Sequence, residues 1–382
     1  MRYGQKITFK IFSALIFILF FYVYISAETT KADGPFIEFE LPAYHLLGWQ
    51  IAETQDGYIV AGTAYDDSGP HQRALVIKTN KSGKALWKKE FGNGRSSSFY
   101  KIITVENGKA IILGGSVDAR AGGPSEESTG LIVKLRSDGK VEWDKRIQLG
   151  RVTRVMDVAL TRNGVVAVGL IRQGEHEDYG FIAEFGPKGE LLWTSQSRNW
   201  LDFVYPLKTV GFLAGSGGRL AKLDNKGNIL WENSLNDYKY DSLGAVIELA
   251  DGDIVVGGQS GQYSSMSRFT SEGKQVWAKK IEIDGSCEIL GLREFREGIK
   301  AIGSTCGTGH EMIWTASISS SGDTKAVRKY LTAGADRGMT GQAVIVDDDT
   351  FIAFGGIKGQ EGTGTSTWIF KSRFEFEAEK DN

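Results

Sequence analysis

The chain has 382 residues, of which 41% are hydrophobic, and its 45 basic residues nearly balance its 47 acidic residues. This balance excludes nucleic-acid binding driven by excess positive charge. The 20 phenylalanines and nine tryptophans exclude a disordered low-complexity chain, so the sequence predicts a protein that is folded nearly throughout.

The N-terminal segment differs from the rest of the chain. Arg2, Lys6 and Lys10 precede the uncharged run IFSALIFILFFYVYISA. This pattern predicts an export signal that is cleaved after Ala27. The run is close in length to the ~20 apolar residues that span a bilayer, so an uncleaved membrane anchor is the alternative. The predicted divisions are a signal or anchor at 1–27, a linker at 28–34, a propeller at 35–378 and a charged tail at 379–382.

A Gly-x-x-x-Trp pattern recurs five times along the chain. A turn-forming pair precedes each glycine, and an alternating apolar run such as LVIKTN precedes that pair. This order predicts a strand, a tight hairpin and a second strand. The glycine is expected in the left-handed region, where a side chain costs energy. The five pairs are Gly83 with Trp87, Gly139 with Trp143, Gly189 with Trp193, Gly227 with Trp231, and Gly273 with Trp277.

A second set of glycines ends short apolar runs such as YIVAG and IVVGG. Successive members lie 42 to 55 residues apart, which is typical of a repeat of four short strands. Small residues are expected here because sheets packed around an axis crowd where they converge. The set predicts seven repeats and consists of Gly62, Gly114, Gly169, Gly215, Gly257, Gly303 and Gly355.

The repeats predict an all-β fold, a seven-bladed β-propeller of four-stranded antiparallel blades. A linear solenoid, the alternative, would need polar capping repeats that neither end of the chain provides. After Gly322 the strand KAVRKYL places Ala326 where the other repeats have tryptophan. The last repeat lacks an outer strand after TWIFKSRF, and FIEFEL at 36–41 is predicted to supply it and close the ring.

The Gly-x-x-x-Trp spacing, with small or apolar residues upstream such as Ala221, resembles the tryptophan docking repeat of quinoprotein-type propellers and of the wider group of exported PQQ-like repeat proteins. The resemblance covers nearly all of the chain after the N-terminal segment and implies a propeller fold. The quinoprotein pattern also has an aspartate eight residues before the tryptophan and a threonine before the glycine, and those enzymes usually have eight blades. This chain has Thr79 and Ser82 in one repeat, and Leu223 and Lys226 in another. No cofactor is therefore predicted.

The sequence contains no Gly-x-Ser-x-Gly nucleophile motif, no glycine-rich phosphate loop leading into a helix and no His-Glu-x-x-His. The acidic runs at 66–67 and 347–349 are interpreted as solvated turns, with calcium binding as the alternative. The histidines are far apart in sequence and are interpreted as surface or loop residues, with metal ligation as the alternative. They are His45, His71, His176 and His310.

Aromatic residues allow two interpretations. The five repeated tryptophans could stack on carbohydrate, but their place in a repeated strand predicts packing between blades. Trp200, Tyr238 and Tyr240 fall outside that set and are better candidates for an exposed surface than the repeated tryptophans, but packing is the favoured interpretation for them too.

Two cysteines in an exported chain favour a disulfide. Folding a hairpin about residues 296 and 297 brings Cys287 opposite Cys306, which predicts a disulfide within the sixth blade. A three-residue turn would instead make the two cysteines diagonal and strain the bond.

Loop lengths predict which face of the propeller binds a ligand. The turns within strand pairs one–two and three–four are tight and repetitive, whereas the loops at 64–74, 116–130, 172–180 and 356–367 on the other face are long and irregular. Variable loops on a rigid scaffold are where binding is usually found. In the fourth blade the corresponding loop consists only of residues 216–218. This predicts that the edge of the face with the long loops is low at that blade and leaves a notch. Candidate ligand-binding residues on this face are Arg95, Arg151, Arg198, Arg337, His71, His176 and His310.

Converging arginines at this face would suit an acidic ligand or partner segment, whereas solvated loop charges are the alternative. The leading functional hypothesis is a monomeric, exported, non-catalytic propeller, periplasmic or extracellular, that binds a protein or glycan partner. One alternative is a propeller enzyme, either a degenerate quinoprotein or a hydrolase or lyase with catalytic residues in its loops. Another is an assembly scaffold tethered to the membrane by the N-terminal segment.

Overall fold

The computed structural model describes fourteen ranges of the chain: 28–31, 36–40, 45–65, 72–92, 96–118, 127–174, 177–235, 240–283, 285–296, 298–305, 312–331, 338–347, 349–357 and 366–374. These ranges form β-strands and connecting turns, with a single 3-10 turn at Glu106–Gly108. No helix within them is long and apolar enough to cross a membrane. The predicted signal or anchor at 1–27 and the tail at 379–382 lie outside the described residues.

Two short N-terminal strands precede a series of four-stranded antiparallel units, which we number in chain order. The N-terminal strands are β1 (Glu28–Lys31) and β2 (Phe36–Glu40). Unit 1 contains β3 (His45–Thr54), β4 (Gly57–Tyr65), β5 (Gln72–Asn80) and β6 (Ala85–Phe91). Unit 2 contains β7 (Ser98–Val105), β8 (Ala110–Asp118), β9 (Ser128–Arg136) and β10 (Val141–Ile147). Unit 3 contains β11 (Val152–Leu160), β12 (Val165–Arg172), β13 (Asp178–Phe185) and β14 (Leu191–Ser197).

The remaining units continue the same order, with each strand antiparallel to the next. Unit 4 contains β15 (Phe203–Pro206), β16 (Phe212–Ser216), β17 (Arg219–Leu223) and β18 (Ile229–Ser234). Unit 5 contains β19 (Ser242–Glu248), β20 (Ile254–Ser260), β21 (Tyr263–Phe269) and β22 (Gln275–Lys280). Unit 6 contains β23 (Ser286–Phe295), β24 (Gly298–Thr305), β25 (Met312–Ser319) and β26 (Thr324–Leu331). Unit 7 contains β27 (Gly338–Ile345), β28 (Thr350–Ile357) and β29 (Ser366–Arg373).

The N-terminal strands join the last two units. Strand β2 pairs antiparallel with β29, from Phe36 opposite Phe370 to Glu40 opposite Ser366. Strand β1 pairs parallel with β26 and becomes a fifth strand of unit 6. Residues 28–31, predicted as part of a linker, therefore form a strand, because the outer edge of β26 offers free backbone groups to pair with.

The described strands make six continuous sheets, because units 2 and 3 are joined by one parallel bridge between Val152 and Ser128. The first strands of successive units contact one another in order, β3, β7, β11, β15, β19, β23 and β27, and β27 contacts β3. Hydrophobic clusters fill the spaces between neighbouring units, as where β5 and β8 side chains pack together. The fold is an all-β propeller of small antiparallel blades.

Two of the glycines that end second strands permit close packing between units, as the sequence predicts. A Cβ on Gly114 would lie 2.9 Å from the Val155 side chain in the next unit. A Cβ on Gly257 would lie 2.9 Å from Ile289, again in the next unit. Any larger residue would therefore push neighbouring units apart.

The repeated tryptophans pack between units, which confirms the packing interpretation over carbohydrate stacking. A Cβ on Gly139, whose φ is 80°, would lie only 3.0 Å from the Trp87 ring of the preceding unit. The Trp87 indole N–H also donates to the Ser137 carbonyl at 3.0 Å. The same ring-on-glycine contact joins Trp143 to Gly189, Trp193 to Gly227, Trp231 to Gly273, and Trp277 to Gly322. The contact between the tryptophan of one unit and the turn glycine of the next thus joins these successive units.

The hairpin that contains Cys287 has the predicted turn but a different register at its far end. Phe295 pairs with Gly298, so the turn has two residues. Two β-bulges then shift the pairing, and Cys287 lies at the second bulge, between the pairs Ser286–Thr305 and Glu288–Ser304. Cys287 is buried, Cys306 lies outside the described residues, and the disulfide stays a prediction.

Candidate functional site

The two faces of the protein differ in their connections. We call the face with the connections between units, and between second and third strands, the long-loop face, and the other the short-turn face. Second-to-third-strand connections are only two residues in unit 4 (Gly217 and Gly218) and unit 5 (Gly261 and Gln262). In the other units they span 66–71, 119–127, 173–177, 306–311 and 358–365. The rim of the long-loop face is therefore low over units 4 and 5.

The low rim at unit 4 is the notch that the sequence predicts. The rim is also low over unit 5, which was not predicted. The signal is visible in the run GGQSGQYSS, where one Gly-Gln pair separates two strands. Leu235 N–H donates to the Gly218 carbonyl at 2.8 Å, which holds the unit 4 hairpin down against the connection to unit 5.

Two of the seven predicted binding residues lie in the described part of the chain. Arg151 and Arg198 are both exposed on connections of the long-loop face, before β11 and β15. Arg95, Arg337, His71, His176 and His310 lie outside the described residues, so their convergence stays a prediction. Arg154, which no sequence pattern marks, has a buried Nε with no hydrogen-bond partner in the described structure.

Exposed aromatic residues flank the low rim. Trp200 is 44% exposed, contrary to the favoured packing interpretation, and lines a narrow groove between units 3 and 4 together with Asn199 and Arg219. Tyr263, at the start of β21, is 49% exposed, and the Lys280 ammonium lies 2.8 Å from its ring centroid. Tyr240 is 4% exposed and packs in the core between units 4 and 5, in agreement with the favoured packing interpretation. Tyr238 lies outside the described residues.

A cavity of about 300 Å³ lies where the first strands converge. All seven first strands contribute to its wall. The wall is polar on units 1 to 3 and mainly apolar on units 4 to 7. Its charged and amide side chains are Gln50, Lys101 and Asp157, and Tyr205 of unit 4 adds a hydroxyl group.

β-Bulges direct these side chains into the cavity. The pairing of β3 with β4 shifts between Gly48 and Gln50, and β7 and β11 have the same shift just before Lys101 and Asp157. Units 5 and 6 have equivalent bulges, after which Ala245 and Gly291 line the cavity. Such bulges reorient a side chain without ending the strand, so equivalent positions of several units face one another.

Asp157 links three neighbouring first strands. Its carboxylate, 7% exposed, lies 3.1 Å from the Lys101 ammonium of β7. It also accepts hydrogen bonds from Val158 N–H at 2.8 Å and from Val204 N–H of β15 at 2.9 Å. The sequence does not mark this group, because Asp157 is a single charge within the apolar run VMDVAL.

Two further carboxyl groups near the long-loop face are partly buried. Burial raises the pKa of Asp202, and the nearby Asp157 charge raises it further, while a hydrogen bond from the Gly217 backbone opposes the shift. Burial also raises the pKa of Glu288, against a weak hydrogen bond from the Ser242 hydroxyl at 3.4 Å. Acidic as well as basic groups therefore lie at this end of the central cavity.

We expect Glu288→Gln to raise the melting temperature at pH 7 and to change it little at pH 4. Because the pKa of Glu288 is raised on folding, its stabilising contribution is present at low pH and is lost as pH rises through the folded-state pKa. Glutamine mimics the protonated form at every pH. Thermal unfolding at both pH values measures the effect, with Glu177→Gln on an exposed loop as control. Equal shifts at both pH values would contradict the assignment.

Two buried lysines that point to the short-turn face form ion pairs there. Lys78 lies 2.5 Å from Asp56, and Lys300 lies 3.2 Å from Asp349. Asp349 N–H donates to Asp347 at 2.9 Å, which supports a solvated turn there. No cluster of three or more potential metal ligands occurs among the described residues.

The sequence matches no known protein family, and a search of curated proteins also gives no match. Solved structures do match. A streptogramin B lyase superposes with a TM-score of 0.56 at 12% identity, covering 89% of this chain and 98% of the lyase. A catalytically inactive virginiamycin B lyase from Staphylococcus aureus superposes with a TM-score of 0.56 at 9% identity, covering 88% of this chain and 99% of the lyase. The β-propeller domain of the trilobed protease from Pyrococcus furiosus superposes with a TM-score of 0.52 at 10% identity, covering 86% of this chain and 94% of that domain. These similarities show a β-propeller fold alone.

Proposed function

We propose that the units form a seven-bladed ring closed by β2. The cyclic contacts of the first strands support this arrangement, and so does the antiparallel pairing of β2 with β29, which supplies unit 7 with its fourth strand. The coupling of each tryptophan to the next turn glycine supports a relationship to exported PQQ-like repeat propellers.

We propose that this propeller is a non-catalytic binding protein whose protein or glycan partner docks on the long-loop face, over the low rim of units 4 and 5. The two-residue connections at Gly217–Gly218 and Gly261–Gln262 are the observation that carries the proposal. They leave one side of the face open between longer connections. Exposed Trp200 and Tyr263 flank that opening, and such aromatic residues commonly provide most of the binding energy at an interface.

The charges of the long-loop face favour an acidic group on the partner. Arg151 and Arg198 are exposed on the long-loop face, and the Arg154 Nε is buried without a partner in the described structure. Guanidinium groups suit carboxylate, sulfate or phosphate groups.

Raising the low rim should abolish partner binding. We expect a nine-residue Gly-Ser insertion between Gly217 and Gly218 to reduce binding at least tenfold, because the new loop would cover the opening. The probes are a printed glycan panel and a displayed library of 15-residue peptides, and affinities of the selected ligands are measured by biolayer interferometry. Arg151→Ala with Arg198→Ala should weaken the same binding and reduce its salt dependence.

The matched control is the same insertion between Thr209 and Val210, in the same unit but on the short-turn face. It should leave affinity unchanged. Binding that survives the first insertion, or is lost equally with the second, contradicts the proposed surface. Absence of saturable binding in both libraries contradicts the binding function. Chemical conversion of a bound ligand would favour the enzyme alternative.

We further propose that the protein is exported. The basic and apolar pattern of residues 1–27 supports this location. Retention of the intact N-terminus in the membrane fraction would favour an anchored form.

A further inference from the structure

The central cavity combines two chemically different walls. One wall carries Gln50, Lys101 and Asp157 from units 1 to 3. The opposite wall is mainly apolar, and it is separate from the outer rim at which we place the partner. Its partly exposed large residues are Phe203, Tyr205, Leu243, Val344 and Ile345, while Leu290 and Leu292 of the same wall are buried between units. A volume of about 300 Å³ lies at the lower end of the range for small-molecule sites.

The polar wall offers hydrogen-bond donors without a net positive charge. The Lys101 side chain is 33% exposed, and its ammonium has three donors, of which one points to Asp157. Asp157 balances the charge of Lys101, and its oxygens also accept the Val158 and Val204 N–H groups. The charge of Asp157 also acts on nearby Asp202. A ligand carboxylate would therefore be repelled by the Asp157 and Asp202 carboxylates while it is attracted by the Lys101 ammonium. An uncharged ligand oxygen would accept hydrogen bonds without this repulsion.

We propose that the central cavity binds an uncharged small organic molecule that has an apolar body and a hydrogen-bond-accepting oxygen, such as an amide or ketone. The oxygen accepts from the Lys101 ammonium and the Gln50 amide. The apolar body contacts the wall formed by units 4 to 7, where burial of its surface contributes about 25 cal/mol per Å². This site does not depend on the partner proposed for the low rim.

Matched pairs of probes test the proposal by isothermal titration calorimetry on the folded chain. Each pair has one apolar body, cyclohexyl, phenyl or heptyl, with either a primary amide or a carboxylate. We expect at least one amide to bind saturably and its carboxylate to bind at least fivefold more weakly. Lys101→Met should weaken amide binding about tenfold, the effect of losing one hydrogen bond to a charged group. Lys109→Met, an exposed lysine on the short-turn face, should not.

A second variant keeps the test decisive if Lys101→Met folds poorly. Ala245→Phe places a ring in the cavity without changing any charge. It should abolish amide binding in a protein whose thermal unfolding shows that it is folded. Absence of binding by all three amides, equal or tighter binding of the carboxylates, or binding that survives Ala245→Phe would each overturn the proposal. The insertion at Gly217 should leave amide binding unchanged, which separates this site from the rim.

Discussion

Replacing Asp157 with alanine is expected to lower the free energy of unfolding by about 3 kcal/mol, the lower end of the effect of breaking a buried ion pair. The lower end applies because the Lys101 side chain is 33% exposed, whereas that of Asp157 is 7% exposed. The variant leaves the Lys101 ammonium and the Val204 N–H without this acceptor. Since these groups belong to units 2 and 4, three first strands lose their shared contact. Urea unfolding followed by tryptophan fluorescence measures the change.

The control is Glu142→Ala, which removes an ion pair on the outer surface of unit 2. Glu142 lies 2.8 Å from Lys134, with side chains 42% and 19% exposed. Exposed pairs contribute about 0–1 kcal/mol, so this variant should unfold close to the original chain. Equal losses for Asp157→Ala and Glu142→Ala would show that Asp157 does not link the first strands.

Removing β2 should lower the melting temperature by about 10 °C or more, whereas removing β1 alone should have little effect. Strand β2 is the fourth strand of unit 7 and pairs along five residues with β29. Cross-strand pairs and ladder hydrogen bonds of this length together contribute on the order of 5 kcal/mol. Strand β1 instead extends unit 6, which already has four strands of its own. Its loss leaves a complete unit.

Three chains beginning at residues 28, 32 and 41 separate these contributions. Thermal unfolding by circular dichroism should give nearly equal midpoints for the first two and a much lower midpoint for the third. The third chain should also self-associate, because the edge of β29 is then unpaired. A large drop on removing residues 28–31, with none on removing 32–40, would contradict this arrangement of the N-terminal strands.

The predictable part of the fold rests on local rules that repeat along the chain. Gly83 and Gly139 have φ values of 82° and 80°, as expected for glycine in tight turns. Spacing also predicts that Trp87 packs between units, because a residue at one place in every repeat has the same surroundings in each. Trp200 lies outside that pattern and is exposed, although the sequence favours packing. Tyr240 lies outside the pattern too, yet it is buried, because the unit 4 and unit 5 side chains close over it.

The candidate site was less predictable because it depends on register. One bulge in β11 places Asp157 between Lys101 and Val204, and these residues are more than forty positions apart in sequence. The same kind of shift places Cys287 at a bulge rather than directly opposite the position expected from the turn. A single extra residue in a strand changes which side chains meet, and the amino-acid pattern around these bulges does not mark them.

The sequence by itself therefore determined the strand order within the units, the turn glycines, the packing of the tryptophans between units and the low rim at unit 4, because each follows from a local pattern or from its regular repetition along the chain. Only the tertiary structure decided that units 4 and 5 share one low rim, that β1 extends unit 6, and that a polar wall faces an apolar wall in the central cavity. These features arise where strands from distant repeats meet. Their geometry is set by the convergence of the units and by bulges, and neither is encoded in the repeat alone.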